Sequence, residues 1–263
     1  MTGQTLKTPL LVMLLCLSGS YIHADDQIKN LHEQPVRLVA DEWCPQHCQN
    51  NPKHKGYIVD IVERALETEN VAYQLTYLPW LRAMALTQGG KYDALLTPLK
   101  NEFPEAIFNA ETVGDQEYCI YTLNTDNWTY SKPSDFDGRQ VAYLSSSGIG
   151  DLQHYFDNTD KVAVQTFPGG DDYVTQLFNF LKTQRTNSVI ITSDVYGFSV
   201  KEKIIDDSYR SAGCLGHNYL HVALSPADRD RSMLIADLLD AGIRKLRESG
   251  ELNLILERYG LRK

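Results

Sequence analysis

Two tryptophans stand where a ligand could be held by stacking or by charge. Trp43 follows a short apolar run rich in β-formers, from Val36 to Asp41, and Trp80 opens a short helical segment. Both indoles therefore lie where strands meet helices, the position at which open α/β sheets bind ligands. An indole face stacks on a planar molecule or attracts a cation. Each tryptophan is predicted to wall a cleft, and the alternative for each is a place in the core.

Polar groups close to these positions offer further contacts. Arg82 follows Trp80 in the first helical turn, where it could bind an anion or form a surface ion pair. Ser146, Ser147 and Gly148 precede a predicted helix, and free backbone N–H groups at such a point suit a carboxylate or phosphate. The same serines could instead cap that helix without any ligand.

Catalytic motifs are absent from the sequence. It contains no Gly-x-Ser-x-Gly, His-Glu-x-x-His, phosphate-loop or dinucleotide-binding pattern. The histidines at positions 32, 154, 217 and 221 have no evident partners in the sequence. No cofactor is expected, and a binding role is favoured over an enzymatic one.

The first 24 residues are predicted to be a signal peptide. Lys7 is followed by an apolar run from Pro9 to Leu17 and then by small or polar residues up to Ala24. The apolar run is shorter than the ~20 residues that a membrane span needs. The mature chain is therefore expected to be exported to the periplasm.

The mature chain, about 240 residues long, is acidic and suited to a globular core. Of the 25 Lys and Arg residues, 24 remain without Lys7, against 34 Asp and Glu residues. Its hydrophobic content of 43% is typical of a globular protein. No basic stripe is present, so nucleic acid is excluded as an expected partner.

Four cysteines remain after export, an even number that predicts two disulfides in an oxidising compartment. Cys44 with Cys48 would staple the turn beside Trp43. Cys119 with Cys214 would join the two chain crossings between lobes. A metal site made of Cys44, His47, Cys48 and His54 is the alternative, but zinc normally requires a second ligand pair at matching spacing, and none is visible.

Strands alternate with helices along the chain, a pattern that predicts two α/β lobes, each a mostly parallel sheet flanked by helices. Residues 25–122 and 219–263 are assigned to lobe 1, and residues 123–218 to lobe 2. The two crossings, near residues 117–123 and 216–224, would act as a hinge.

Several short motifs occur in a fixed order along the mature chain: Asp41-Glu42-Trp43, Gly56-Tyr57, Pro79-Trp80-x-Arg82-Ala83, Gly90-Lys91-Tyr92-Asp93-Ala94, Thr97-Pro98 and Ile255-Leu256-Glu257-Arg258-Tyr259-Gly260. In this order and spacing they resemble the family 3 periplasmic solute-binding proteins over essentially the whole mature chain. The resemblance implies a type II binding fold, with a small solute held between two lobes that close on it and no chemistry performed.

The resemblance also implies roles for particular residues. Thr97 and Lys100 match the ligand-contacting segment of the family, and the acidic residue that binds an α-amino group falls near Ser193 or Asp194. Amino-acid binders of the family carry an arginine at the position of Lys100, where its planar fork grips the α-carboxylate. A lysine cannot reproduce that bidentate clamp, which weakens the prediction of an ordinary α-amino acid.

The sequence thus predicts a monomeric periplasmic protein that captures a small polar molecule for the inner-membrane permease of an ABC importer or for a sensor protein. Two alternatives stay open. One is an enzyme of the same fold, similar to dehydratases of small cyclic acids. The other is an accessory or sensory module whose cleft is degenerate.

Overall fold

The computed structural model describes residues 34–145, 147–168 and 172–261. The predicted signal peptide, residues 1–24, and Ser146 lie outside these ranges. None of the helices within the described ranges is long and apolar enough to cross a bilayer.

Ten strands and seven α-helices form the described part of the chain. The strands are β1 (Val36–Ala40), β2 (Tyr73–Tyr77), β3 (Ala94–Leu96), β4 (Ile107–Phe108), β5 (Gly114–Leu123), β6 (Gln140–Leu144), β7 (Ala163–Phe167), β8 (Ser188–Thr192), β9 (Tyr209–Leu220) and β10 (Val222–Leu224). The helices are α1 (Tyr57–Thr68), α2 (Trp80–Gln88), α3 (Asp151–Asp157), α4 (Tyr173–Lys182), α5 (Ser193–Lys201), α6 (Arg229–Ser249) and α7 (Glu251–Arg258).

The strands form two separate five-stranded sheets, so the predicted two-lobed α/β fold is confirmed. The first sheet has the order β2-β1-β3-β10-β4 and the second the order β7-β6-β8-β5-β9. In each sheet the first three strands in this order are parallel to one another. The fourth strand, β10 in the first sheet and β5 in the second, runs antiparallel to both of its neighbours. Each sheet is therefore mixed, with one antiparallel strand next to its edge.

The chain passes from the first sheet to the second between β4 and β5 and returns between β9 and β10. β5, most of which the sequence analysis assigned to lobe 1, pairs along its length with β9 of the second sheet. The lobe bounds at residues 122 and 219, and the hinge at these crossings, stay predictions.

Helix α1 supplies much of the first core because its apolar residues recur at helical spacing. Ile58, Ile61, Val62, Ala65 and Leu66 of this helix are all buried. Helix α6 crosses α1 closely at Gly242, where an added Cβ would lie 2.3 Å from the carbonyl oxygen of Ala65. A glycine is therefore needed at this crossing.

Helix boundaries follow ordinary capping chemistry at α6. The side chain of Asp228 accepts a hydrogen bond from the backbone N–H of Arg231 at 3.1 Å and so caps the first turn. Gly250 ends the helix in the left-handed conformation, with a φ of 79°, and α7 starts directly after it. Both helices contribute to the core of the first lobe, where Leu239 and Ile255 are buried.

Candidate functional site

A cleft with a cavity volume of about 1090 Å³ lies between the two lobes. The first lobe lines it with residues after β1 and β3, including Asp41 and Thr97. The second lobe contributes Leu144 at the end of β6 and Val195 just after β8. The carboxyl ends of parallel strands from both sheets therefore face one space, which is where open α/β sheets bind ligands.

Four of the predicted ligand-binding residues line this cleft together: Trp43, Trp80, Thr97 and Gly148. Their contact with a ligand stays a prediction. Ser147 does not line the cleft, and its backbone N–H is already used, since it donates to the carbonyl of Leu144 at 2.9 Å.

The turn that carries Trp43 is held in shape by backbone and covalent bonds. The backbones of Trp43 and His47 exchange hydrogen bonds of 2.9 and 2.8 Å, and a disulfide joins Cys44 to Cys48. Gly56 passes beside this turn with a φ of 108°, and a Cβ there would lie 2.2 Å from the carbonyl oxygen of Gln46. The indole is thus presented by a rigid turn.

Two residues of the cleft lining, Thr97 and Asp41, lie on either side of a buried histidine, His47. The hydroxyl of Thr97 lies 3.1 Å from Nε2 of His47, and Nδ1 of His47 lies 3.4 Å from Oδ1 of Asp41. The imidazole is completely buried, and neither Nδ1 nor that Oδ1 has a hydrogen-bond partner among the described residues. Thr97 has a φ of 57°, a left-handed conformation that is rare for a β-branched residue and common at functional sites.

The two basic residues predicted to bind the ligand lie outside the cleft lining. Arg82 is exposed on α2 and does not line the cleft. Lys100 is exposed too, and its ammonium lies 5.8 Å from the ring centroid of Phe108. The structure does not bring these cations to the cleft, and their ligand-binding roles stay predictions.

Asp194 is buried between the lobes and is not itself part of the cleft lining, although the next residue, Val195, is. Its Oδ2 accepts hydrogen bonds from the amide of Gln46 and, at 3.2 Å, from the hydroxyl of Tyr57. Its Oδ1 accepts from the backbone N–H of Val195 at 2.8 Å. Burial raises the pKa of this carboxyl, while the hydrogen bonds that it accepts oppose the shift. The carboxylate is thus already engaged by the other lobe, and the binding of a ligand amine at Asp194 stays a prediction.

Both predicted disulfides are present in the structure. Cys44 bonds to Cys48, and Cys119 of β5 bonds to Cys214 of β9. The second bond joins the two long strands that lead into and out of the second lobe. The sulfurs of these four cysteines are thus committed to disulfides.

Several residues of the cleft were missed by the sequence analysis. Aromatic side chains of the second lobe, Tyr118, Tyr173 and Phe198, line it. Acidic residues line it as well: Asp41, Glu42, Glu102 and Glu202. Asp41 and Glu42 directly follow β1, so their position at a strand end was a usable signal. Glu202 follows α5, a helix that the sequence analysis did not predict.

The comparisons with known proteins identify the fold. No protein-family model matches the chain, and no curated protein matches it in sequence. Substrate-binding domain 2 of GlnP from Lactococcus lactis, in an open conformation, matches with a TM-score of 0.66 at 15% identity, over 85% of this chain and 94% of that one.

Two further solved structures agree. The probable amino-acid ABC transporter extracellular-binding protein ytmK from Bacillus subtilis matches with a TM-score of 0.69 at 16% identity, over 86% of this chain and 97% of that one. AncCDT-1, an ancestral amino acid-binding protein and a precursor of cyclohexadienyl dehydratase, matches with a TM-score of 0.60 at 15% identity, over 90% and 98%. At these identities the likeness is one of fold, and the chain has the two-lobed type II fold of periplasmic binding proteins.

Proposed function

We propose that this protein is an exported solute-binding protein that captures a small organic molecule between its lobes. The observation that carries the proposal is the cleft itself, lined from both sheets by strand ends and walled by Trp43 and Trp80. A cavity of this kind, in which aromatic and aliphatic side chains stand among polar ones, suits a small organic molecule. Substrate-binding domain 2 of GlnP and the probable extracellular-binding protein ytmK share this fold and support the same function.

Capture works by closure in this proposal. The lobes are joined by two crossings, so a solute that contacts both walls binds the closed form more tightly than the open form and shifts the population towards it. The closed shape is then recognised by the permease of an ABC importer or by a sensor protein. The signal peptide, the periplasmic location and the monomeric state belong to the same proposal.

We propose binding without turnover. His47, the histidine nearest the cleft residue Thr97, is completely buried, so its imidazole orients Thr97 and does not reach the solute. AncCDT-1 is a precursor of a dehydratase, so the alternative to be tested is an enzyme that dehydrates cyclic acids. Incubation with prephenate-like cyclic acids, followed by mass spectrometry, is expected to return them unchanged.

The test of the function is calorimetric titration of the mature protein with amino acids, amines and small organic acids. Native mass spectrometry of the protein as purified runs beside it. Binding of one solute class, with a smaller radius of gyration in X-ray scattering when that solute is added, is the expected result. If no compound of any class bound in the titrations and native mass spectra showed no retained solute, the proposal would be contradicted.

A further inference from the structure

The cleft carries an excess of negative charge. Its described lining contains four carboxylates, Asp41, Glu42, Glu102 and Glu202, against one basic residue, Lys53, which is exposed. The four internal residues outside the described ranges, Ser146, Gly169, Gly170 and Asp171, include no basic side chain. An anionic solute would therefore meet repulsion here, and a cation would meet attraction.

The carboxylates are only partly used by the protein. Glu42 and Glu102 each accept one backbone hydrogen bond, from Gln49 at 2.6 Å and from Leu99 at 2.8 Å. The Oδ1 atom of Asp41 is buried beside His47 and has no hydrogen-bond partner among the described residues. Among the described residues, Oε1 of Glu42 and Oε1 of Glu102 accept no hydrogen bond, while Oε1 of Glu202 lies 3.4 Å from Nε2 of His54.

The buried threonine of the cleft is also set as an acceptor. In the neutral imidazole with its proton on Nδ1, the nitrogen that lies 3.4 Å from Oδ1 of Asp41, Nε2 carries a free lone pair. Nε2 is then an acceptor, and the Thr97 hydroxyl, 3.1 Å away, donates its hydrogen to it. The lone pairs of Thr97 are left for the cleft, where they suit an N–H donor of a solute.

The aromatic residues of the cleft also favour a positively charged solute. Trp43 and Trp80 of the first lobe, with Tyr118 and Tyr173 of the second, line the cleft. Aromatic faces attract organic cations through the negative charge of the ring face. No buried guanidinium or ammonium lines the cleft among the described residues, so a carboxylate on the solute would have no buried cationic side chain to pair with.

We propose that the solute is an organic cation without a carboxylate, an amine or guanidinium compound held between the tryptophans with its N–H groups directed at Asp41 and Thr97. This inference rests on the proposed function and deepens it by naming the class of solute.

Matched pairs of probes test it. Agmatine differs from arginine, and cadaverine from lysine, by loss of the carboxylate alone. Calorimetric titration of the mature protein is expected to give at least about tenfold tighter binding, or about 1.4 kcal/mol, for each decarboxylated probe. Affinity should fall as ionic strength rises.

Single substitutions test whether Asp41 binds the cationic probe. Asp41→Asn is expected to weaken binding of the cationic probe by about tenfold or more. Glu105→Gln removes an exposed carboxylate outside the cleft and should leave the affinity unchanged. Thermal unfolding of both variants checks that each is folded.

The outcomes separate the two proposals. Tighter binding of the amino acids, or a neutral or anionic solute in native mass spectra, overturns the cation assignment and leaves solute capture standing. Equal affinity of wild type and Asp41→Asn for the cation overturns the assigned contact. Failure of every probe, with no solute retained by the purified protein, overturns solute capture and the cation assignment with it.

Discussion

Asp194, the second residue of α5, accepts a hydrogen bond at 3.2 Å from the hydroxyl of Tyr57, the first residue of α1. A buried carboxylate of the second lobe is therefore held by the first lobe. Helix α5 extends this contact, because Phe198 packs into the core of the first lobe and the ammonium of Lys201 donates to the carbonyl of Glu257. Helix α5 thus couples the second lobe to the first.

The buried carboxyl of Asp194 predicts a pH-dependent stability. Burial raises its pKa above the ordinary value of 3.8. The folded state then holds the proton more tightly than the unfolded state, so this group favours folding most at low pH. Its contribution is lost as the pH rises through the folded pKa.

The expected result is that the free energy of unfolding of the wild type falls, relative to that of Asp194→Asn, as the pH rises from about 4 towards neutral. Urea unfolding at a series of pH values measures it. The exposed variant Asp207→Asn is the control and should follow the wild type. A constant difference between wild type and Asp194→Asn across this range would refute the assignment.

The donor of the contact can be removed by itself. Tyr57→Phe deletes the hydroxyl and leaves a buried carboxylate with one partner fewer, which is expected to cost about 1.5–3 kcal/mol of unfolding free energy. Tyr73→Phe is the control, because its hydroxyl bonds Glu67 at 3.1 Å on the exposed surface and should cost about 0–1 kcal/mol. Urea unfolding at neutral pH compares them, and equal losses would show that the contact between lobes adds nothing.

The two disulfides are predicted to contribute differently to the free energy of unfolding. Cys119 and Cys214 are separated by 95 positions, and Cys44 and Cys48 by 4. A disulfide that closes a longer loop removes more conformational entropy from the unfolded chain. The bond between Cys119 and Cys214 should therefore contribute about 4–5 kcal/mol to the free energy of unfolding, and the bond between Cys44 and Cys48 about 2 kcal/mol. Urea unfolding of the two double serine variants measures both, and a larger loss for the short loop would contradict the prediction.

The fold could be predicted from the sequence because most elements bury a regular apolar pattern. Helix α1 and the strands β1 and β6 are examples. A strand over residues 219–224 was predicted, but the rest of β9 was missed, because it is an edge strand with half of its residues exposed and is stabilised by its pairing with β5. Helix α5 was missed because Gly197 and Ser199 weaken its helical signal and its buried residues are divided between two cores.

The candidate site was less predictable. Trp43 and Trp80 stood out as large aromatics at strand ends, and both line the cleft. The contact between His47 and Thr97 joins residues 50 positions apart, so no local sequence pattern predicts it. The partners of Asp194 come from the other lobe, so only the packed fold reveals that its carboxylate is occupied.

The crossing of α1 and α6 gives the last prediction. Gly242→Ala would place a Cβ 2.3 Å from the backbone oxygen of Ala65, and a backbone atom cannot move aside as a flexible side chain can. The two helices must separate, at an expected cost of about 1–3 kcal/mol, even though alanine is the better helix former by about 1 kcal/mol.

Gly89→Ala is the matched control for that variant. Gly89 has a φ of −82°, which alanine adopts readily, and its added Cβ would approach nothing closer than 3.5 Å. This substitution should be neutral or stabilise the fold by up to about 1 kcal/mol. Thermal and urea unfolding of both variants would separate the steric effect at the helix crossing from the general effect of replacing glycine, and a Gly242→Ala protein as stable as Gly89→Ala would mean that α1 and α6 do not approach so closely.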